Sequence, residues 1–174
     1  MTCSAGTTGS RRHRKKRTLA ETPRPLYRSS GKPGYSGWME LQPGRIWARK
    51  FERAVQVRFA DSDCSVRTRE GVVSAHRGDA ILTGVLGEQW RVSRARFADK
   101  YRPDGSLRDG EPGAYWCRRY RVQALRVDGP FMVLLADGVS RLEGQPGDWL
   151  VDYGDGSLGI VAPEVFTTTY EPEG

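Results

Sequence analysis

The sequence predicts a mainly β protein built from two duplicated small modules, and three observations lead to this prediction. Residues 78–103 recur as residues 147–172, at a constant offset and without a gap. Short runs that alternate apolar and polar residues, as half-buried strands do, are separated by glycine-containing turns. Each copy ends in a segment whose aromatic residues are four positions apart, the spacing of one helical face. We therefore expect two barrel-like or sandwich-like modules, each closed by a short helix.

The repeat separates residues that both copies share from residues that only one copy has. Composition predicts roughly two identities in a window of this length. The observed identities are Gly78/Gly147, Asp79/Asp148, Gly87/Gly156, Val92/Val161, Phe97/Phe166, Tyr101/Tyr170 and Pro103/Pro172. We expect the shared residues to build the scaffold, and function to depend on residues that one copy lacks.

The composition divides the chain into four segments. Residues 1–44 are rich in Gly, Ser, Thr, Pro and Arg and have no hydrophobic period, which predicts a disordered basic tail. Residues 45–103 are predicted as module copy 1 and residues 114–174 as module copy 2. Between them, residues 104–113 consist of turn-forming residues and are predicted as a linker.

The elements follow the same order in both copies. In copy 1, residues 51–59 alternate as a strand does, Glu70 and Gly71 mark a turn, and residues 84–87 make a connection of hairpin length. In copy 2, strand-like runs at residues 115–127 and 131–139 precede Pro163, which suits the first turn of a helix. We expect helices of one or two turns, with four aromatic residues as core anchors: Phe97, Tyr101, Phe166 and Tyr170.

Charge is distributed unevenly along a chain whose formal net charge is +7. Residues 1–50 contain twelve basic and two acidic residues, a net charge of +10. Residues 51–103 contain ten basic and seven acidic residues, and residues 104–174 contain six basic and twelve acidic residues. The two copies therefore have opposite net charge, which favours either their docking on each other or separate partners.

Two groups of residues are candidates for nucleic-acid contact. The compact cationic cluster in the tail can bind phosphates with release of counterions. In copy 1, cations alternate with aromatic residues, a combination that suits single-stranded nucleic acid or a phosphorylated ligand. The predicted interface comprises Arg11, Arg12, Arg14, Lys15, Lys16, Arg17, Trp90, Arg91, Arg94, Arg96 and Lys100. A solvated tail and a solvated helix face are the alternative explanation.

Cysteine and histidine usage argues against metal and disulfide sites. Cys3, Cys64 and Cys117 are odd in number and widely spaced, and His13 and His76 are the only histidines. We expect no metal and no cofactor. No stretch approaches the roughly 18 apolar residues of a membrane span, and the basic start lacks the apolar run of a secretory signal. We therefore expect a soluble protein of the cytoplasm.

The carboxylates near the repeated Gly-Asp are more typical of turns than of catalysis. Asp79 and Asp148 each follow a glycine at the start of a strand, where a carboxylate accepts backbone N–H groups. In copy 1, Asp79 with His76 and Glu88 is a candidate acid–base cluster. No Ser-His-Asp, Walker or Rossmann spacing is present, so we predict no catalytic residue and favour a protein without enzymatic activity.

Several motifs resemble a known family. Copy 1 contains Ala54-Val55-Gln56, Thr68-Arg69-Glu70-Gly71 and Gly84-Val85-Leu86-Gly87-Glu88, and copy 2 contains Pro146-Gly147-Asp148-Trp149 and a closing Phe166 with Tyr170-Glu171. These motifs resemble the PGDYG-type family of small proteins from bacteriophage and bacterial genomes. Neither copy is complete, since copy 1 has Arg77 and Ala80 in place of the family's Pro and Trp, and copy 2 has Ser157 and Gly159 in place of Glu88 and Trp90 of copy 1. The resemblance implies a phage-associated origin and no assigned activity.

Three classes of function remain open. The first is an accessory binding module of phage type that contacts nucleic acid through the basic tail and the basic face of copy 1. The second is a protein-interaction or anti-defence adaptor that docks a basic partner on the acidic copy 2, through residues such as Asp152, Asp155 and Glu164. The third is an enzyme or a binding protein that acts on a nucleotide-like small molecule. The sequence favours the first class.

Overall fold

The computed structural model describes residues 25–30, 39 and 41–173. These residues form fifteen strands and two seven-residue helices. The strands are β1 (Leu26–Arg28), β2 (Ile46–Lys50), β3 (Arg53–Phe59), β4 (Cys64–Arg67), β5 (Val72–Ala75), β6 (Ala80–Thr83), β7 (Gln89–Val92), β8 (Tyr101–Pro103), β9 (Gly113–Cys117), β10 (Arg121–Arg126), β11 (Phe131–Leu134), β12 (Arg141–Gly144), β13 (Trp149–Asp152), β14 (Leu158–Val161) and β15 (Tyr170–Glu173). The helices are α1 (Arg94–Lys100) and α2 (Pro163–Thr169). The prediction of a mainly β fold with short closing helices is confirmed.

Two five-stranded sheets have the same internal order. The first sheet runs β7-β6-β3-β9-β8 and the second runs β14-β13-β10-β2-β15. The connecting strands form a two-stranded sheet of β4 and β5 and a three-stranded sheet of β1, β11 and β12. The described strands thus form open sheets, and the barrel that the sequence left open as an alternative is not formed.

The two sheets exchange one strand each. Strand β2 precedes β3 in the chain, yet it pairs with β10 and β15 of the second sheet. Strand β9 precedes β10, yet it pairs with β3 and β8 of the first sheet. The chain crosses between the sheets within a few residues, and the Lys50 N–H donates to the Tyr120 carbonyl at 2.9 Å where the crossings meet. Each segment predicted as a module therefore supplies an inner strand to the other segment's sheet.

Part of the predicted tail is ordered into the fold. Strand β1 pairs in parallel with β11, and the Met132 N–H donates to the Pro25 carbonyl at 2.9 Å. The Leu158 N–H donates to Ser29 Oγ at 3.0 Å, which ties the same segment to β14. Residues 25–30 are therefore ordered, because backbone groups of this segment pair with β11 and the Ser29 side chain binds β14.

Each five-stranded sheet buries its own apolar cluster under its helix. In the first sheet Phe97 stacks on Tyr101 with ring centroids 4.9 Å apart. In the second sheet Phe166 stacks on Tyr170 at 5.0 Å and on Trp149 at 4.1 Å. A third cluster contains residues from both halves of the chain, so the two halves share one interior. The four aromatic residues predicted as core anchors are all buried.

Candidate binding site

A cavity of about 260 Å³ lies between the two five-stranded sheets. Its volume is close to the lower end of small-molecule sites, which begin at about 300 Å³. Both halves of the chain contribute to its wall, as does Ser29 in the segment after β1. The residues with polar or aromatic groups in this wall include Ser29, Lys50, Arg53, Glu70, Trp90, Arg91, Arg96, Lys100, Tyr101, Tyr120, Tyr153 and Tyr170.

Lys50 is a buried cation at one end of this cavity. Lys50 is the last residue of β2, whose side chains alternate between the inward and the outward face of the sheet. Only 8% of Lys50 is exposed. Its ammonium lies 5.6 Å from the centroid of Trp90, 5.5 Å from that of Tyr120 and 5.8 Å from that of Tyr170. Rings at these distances attract a cation through their quadrupoles. Lys50 forms no ion pair with any residue that the structure describes.

Two kinds of effect act on the pKa of Lys50 in opposite directions. Burial by itself lowers the pKa of an ammonium group, because it penalises the charged form. The polar groups of Tyr101, Cys117 and Tyr153 act in the opposite direction and outweigh burial, so that the pKa of Lys50 lies above its ordinary value. The largest effects on Lys50 come from burial and from phenol and thiol groups, and none of them comes from a carboxylate of the described residues.

Arg53 is a second unpaired cation in the wall. It begins β3 and is the register partner of Cys117 in β9. No salt bridge or side-chain hydrogen bond joins Arg53 to another residue within 25–30, 39 and 41–173. Cys117 itself is fully buried, and burial raises the pKa of its thiol while the charge of Lys50 lowers it by a smaller amount. Cys117 is thus the register partner of Arg53 and is affected by the charge of Lys50.

The copy 1 cations of the predicted nucleic-acid interface have carboxylate partners. Arg91 Nη2 lies 2.7 Å from Asp79, and Arg94 Nη2 lies 3.4 Å from Asp109. Both remaining cations meet one carboxylate of copy 2: Lys100 Nζ lies 2.5 Å from Asp155, and Arg96 Nε lies 3.5 Å from it. The structure brings Trp90, Arg91, Arg96 and Lys100 to the cavity wall and directs Arg94 towards the linker. The tail residues Arg11, Arg12, Arg14, Lys15, Lys16 and Arg17 lie outside the described residues.

The acidic residues of copy 2 face the basic half of the same chain. Arg69 lies 2.7 Å from Glu164, and Asp155 accepts from Lys100 as described. Burial raises the pKa of Asp155, but hydrogen bonds from Lys100 and Ser157 and the charges around it lower this pKa by more, so the net shift is downward. Asp152 is buried and accepts the Gly154 N–H at 2.9 Å. Glu164 and Asp155 therefore join the two halves, whereas this bond of Asp152 lies within copy 2.

Glu70 places a carboxyl group in the wall of the cavity and of a neighbouring surface groove. Thr68 Oγ1 accepts the Glu70 N–H at 3.2 Å and donates to the Gly71 carbonyl at 3.1 Å, which fixes the turn. Burial is the largest effect on the Glu70 carboxyl and raises its pKa above the ordinary value. Arg69, which precedes Glu70 in the sequence, forms an ion pair with Glu164.

Comparison with known proteins assigns the family. A family model described as PGDYG protein matches residues 71–171, more than half of the chain. The chain belongs to the PGDYG protein family. The matched segment of this PGDYG protein begins just before β5 and ends in β15, so it is a single match across both halves, and the tandem duplication stays a prediction. Searches of the curated proteins and of the solved structures give no match.

The candidate acid–base cluster of this PGDYG protein does not assemble. The Asp79 carboxylate accepts the His76 N–H at 2.8 Å and binds Arg91, while the His76 ring points away and lies 3.2 Å from Asp63. The Glu88 carboxylate accepts the Leu86 N–H at 2.9 Å inside its own hairpin. Asp148 accepts the Gln145 N–H at 2.8 Å, the turn contact that Asp79 also makes.

The described residues lack two further features. They contain no group of three His, Cys, Asp or Glu side chains that could hold a metal ion. They also contain no helix with the length and the apolar run that crossing a membrane requires.

Sequence reasoning missed the two unpaired cations of the cavity. Lys50 is the last basic residue of the cation-rich first 50 positions, which hid it among the tail cations. The signal was the alternation of Ile46, Ala48 and Lys50, which puts the lysine on the inward side of a strand. Arg53 shares the inward side of β3 with Val55 in the same way.

Proposed function

We propose that this PGDYG-family protein is a binding protein that holds a small anionic ligand in the cavity between its sheets. One observation supports this most: the buried ammonium of Lys50 has no carboxylate partner among the described residues. Removing an ammonium group from water costs several kcal/mol, and aromatic rings return only part of that cost. An anion from outside the chain would supply the missing partner.

The size and the wall of the cavity favour a small organic molecule. At about 260 Å³ the space is too small for a nucleic-acid strand and suits a single nucleotide-sized compound. Apolar side chains such as Val55, Val92 and Ile160 line it beside Trp90 and the tyrosines. An anionic head with an aromatic or apolar body fits this combination, and nucleotide-like compounds belong to that class.

A thermal-shift panel of small anions and their neutral analogues tests the proposal. Ligand at one hundred times its dissociation constant stabilises the folded state by about 2.7 kcal/mol, which gives a clear rise in the melting temperature. We expect the rise for anions and its loss in Lys50→Met. Arg58→Gln is the matched control, because Arg58 is exposed on the outward side of β3.

The stability of Lys50→Met without ligand provides a second readout. Replacing a buried charge by an apolar residue of similar volume is often neutral or stabilising. If Lys50 serves a ligand, the variant unfolds at the same or a higher urea concentration than the wild type. A marked loss of stability would assign Lys50 to the scaffold, and the absence of any anion-dependent shift in the wild type would refute the proposal.

Nucleic-acid contact through the tail is a second proposal, supported by the six cations between residues 11 and 17. Binding through them would weaken steeply with salt because counterions are released. The informative truncation removes residues 2–24 and keeps β1, which pairs with β11. Binding that persists after this truncation, or that does not respond to salt, would refute the proposal.

We also propose that the two halves arose by duplication. The identical order of strands in the two five-stranded sheets supports this, as does the sequence repeat.

A further inference from the structure

We propose that the anionic group of the ligand is a phosphate monoester, held between Lys50 and Arg53. This inference rests on the proposed function and specifies its ligand class. It goes further because a general anion site needs only Lys50, whereas a phosphate site needs both cations.

The two cations flank the point where the chain crosses between the sheets. Lys50 ends β2 in the second sheet, and Arg53 begins β3 in the first sheet only three positions later. Arg53 is paired in register with Cys117, so their Cβ atoms are about 5 Å apart on one face of the sheet. Lys50 acts on the same Cys117 thiol electrostatically. Both side chains line the cavity.

Lys50 and Arg53 differ from other cations of the wall in their partners. Arg91 is bound to Asp79, and Lys100 and Arg96 share Asp155. Lys50 and Arg53 have no carboxylate partner among the residues described. A phosphate monoester carries a charge of about −1.5 to −2 at pH 7 and can pair with both cations, whereas a carboxylate carries a single charge.

The side chains of Lys50 and Arg53 bind phosphate in two different ways. A guanidinium offers a planar fork that binds two phosphate oxygens at once, and an ammonium adds a compact point charge. The phenols of Tyr101, Tyr120 and Tyr153 stand beside them, and burial, the largest effect on each, raises the pKa of all three. They are therefore protonated at neutral pH and can donate hydrogen bonds to phosphate oxygens.

Within the part of the chain that the structure describes, the arrangement occurs once. Lys50 pairs with Tyr170 in the second sheet, and in the first sheet the strand that pairs with Tyr101 carries Cys117 at the same place. A thiol thus stands where the second sheet has the ammonium. We expect one phosphate per chain.

Isothermal titration calorimetry on the full chain tests the inference with four probes. The probes are adenosine 5′-monophosphate, adenosine, inorganic phosphate and benzoate. We expect one site for the monophosphate, weaker binding of inorganic phosphate, and no binding of adenosine. Because the second ionisation of a phosphate monoester has a pKa of about 6, its affinity should rise between about pH 5 and pH 7.5, whereas that of a carboxylate should not.

Three variants separate the phosphate site from the general anion site. Losing charge-assisted hydrogen bonds of 1.5–3 kcal/mol corresponds to a weakening of roughly 10- to 150-fold, which we expect for Arg53→Gln with the monophosphate. Arg53→Lys retains the charge but not the fork and should recover part of the affinity. Arg58→Gln should bind as the wild type does.

The outcomes distinguish this inference from the proposed function. Benzoate binding as tightly as the monophosphate, or Arg53→Gln binding unchanged, would overturn the phosphate assignment and leave an anion site at Lys50. Failure of every anion to bind the folded wild type would overturn both proposals. Unfolding in urea, measured for each variant, ensures that lost binding is not lost structure.

Discussion

The two aspartates of the repeated Gly-Asp allow a sharp test of how the sheets are stabilised. Asp79 and Asp148 both accept a backbone N–H three residues upstream, at 2.8 Å in each case. Only Asp79 also binds a guanidinium, with Arg91 Nη2 at 2.7 Å and Arg91 Nε at 2.8 Å. Asp79 also accepts the Arg94 N–H at 3.3 Å. Alanine at each position therefore removes the same turn contact, and at position 79 it also removes the ion pair and this second backbone hydrogen bond.

The structure sets the expected magnitudes. The Asp79 side chain is 8% exposed and that of Arg91 is 26% exposed, so Asp79→Ala leaves a largely buried cation without its partner. Breaking a buried pair costs about 3–5 kcal/mol, and the partial exposure of Arg91 puts this case near about 3 kcal/mol. Asp148→Ala loses a single solvent-exposed bond from a backbone N–H and should cost about 1 kcal/mol. We expect a difference of about 2 kcal/mol between the variants.

Urea unfolding measures this difference. The free energy of unfolding is extrapolated linearly to water for the wild type and both variants, with unchanged slopes as the sign that the unfolded states are comparable. A double-mutant cycle of Asp79→Ala and Arg91→Met isolates the interaction between the two side chains, and we expect a coupling energy above about 1 kcal/mol. Equal losses in the two aspartate variants, within about 0.5 kcal/mol, would refute the reasoning.

Three further predictions concern the core, one turn and the response to acid. Phe166→Ala, which removes a ring stacked between two others, should cost about 3–5 kcal/mol in urea unfolding. Gly71→Ala should lower the melting temperature, because its φ is +154° and a Cβ would lie 2.6 Å from a carbonyl oxygen of β12, whereas Gly129→Ala, with open space around it, should leave that temperature unchanged. The pKa of Asp155 is lowered in the folded state. Its contribution to the free energy of unfolding is therefore present above the pKa of an unfolded aspartate, about 3.9, and is lost as the pH falls below that value. Asp155→Asn should flatten the decline in stability below about pH 4, and a decline identical to that of the wild type would contradict the role of its pair with Lys100.

Local patterns were sufficient to predict the fold class and the closing helices. Alternation in residues 51–59 corresponds to β3, and the spacing of Phe97 and Tyr101 corresponds to α1 and its end. These features depend on residues close in sequence, which is why a single sequence reveals them. The PGDYG family was recognisable because its motif residues lie in turns and at core positions that the local pattern exposes.

Pairings between distant segments were not predictable in the same way. The sequence divides the chain at residues 104–113, but β2 and β9 each pair in the sheet of the other half. Alternation indicates that a strand has an inward side and does not indicate which sheet it joins. Residues 25–30 were predicted to be disordered because their order comes from β11 and β14, which lie more than a hundred positions away.

The candidate site could not be predicted from the sequence either, because it too depends on contacts between distant segments. The basic face of copy 1 was predicted from the clustering of cations in the sequence, which does not reveal that Asp155 and Asp79 neutralise them. Lys50 and Arg53 flank a crossing that only the strand exchange creates. Pairwise charge balance, rather than local charge density, decides which cations are left for a ligand.

Diffraction from crystals soaked in tungstate, a heavy analogue of phosphate, tests the central claim most directly. The account predicts one anomalous peak per chain inside the cavity, in contact with Lys50 and Arg53, which disappears in Arg53→Gln and persists in Arg58→Gln. Tungstate bound only at the outer surface of a folded wild-type protein, with no peak in the cavity, would contradict it.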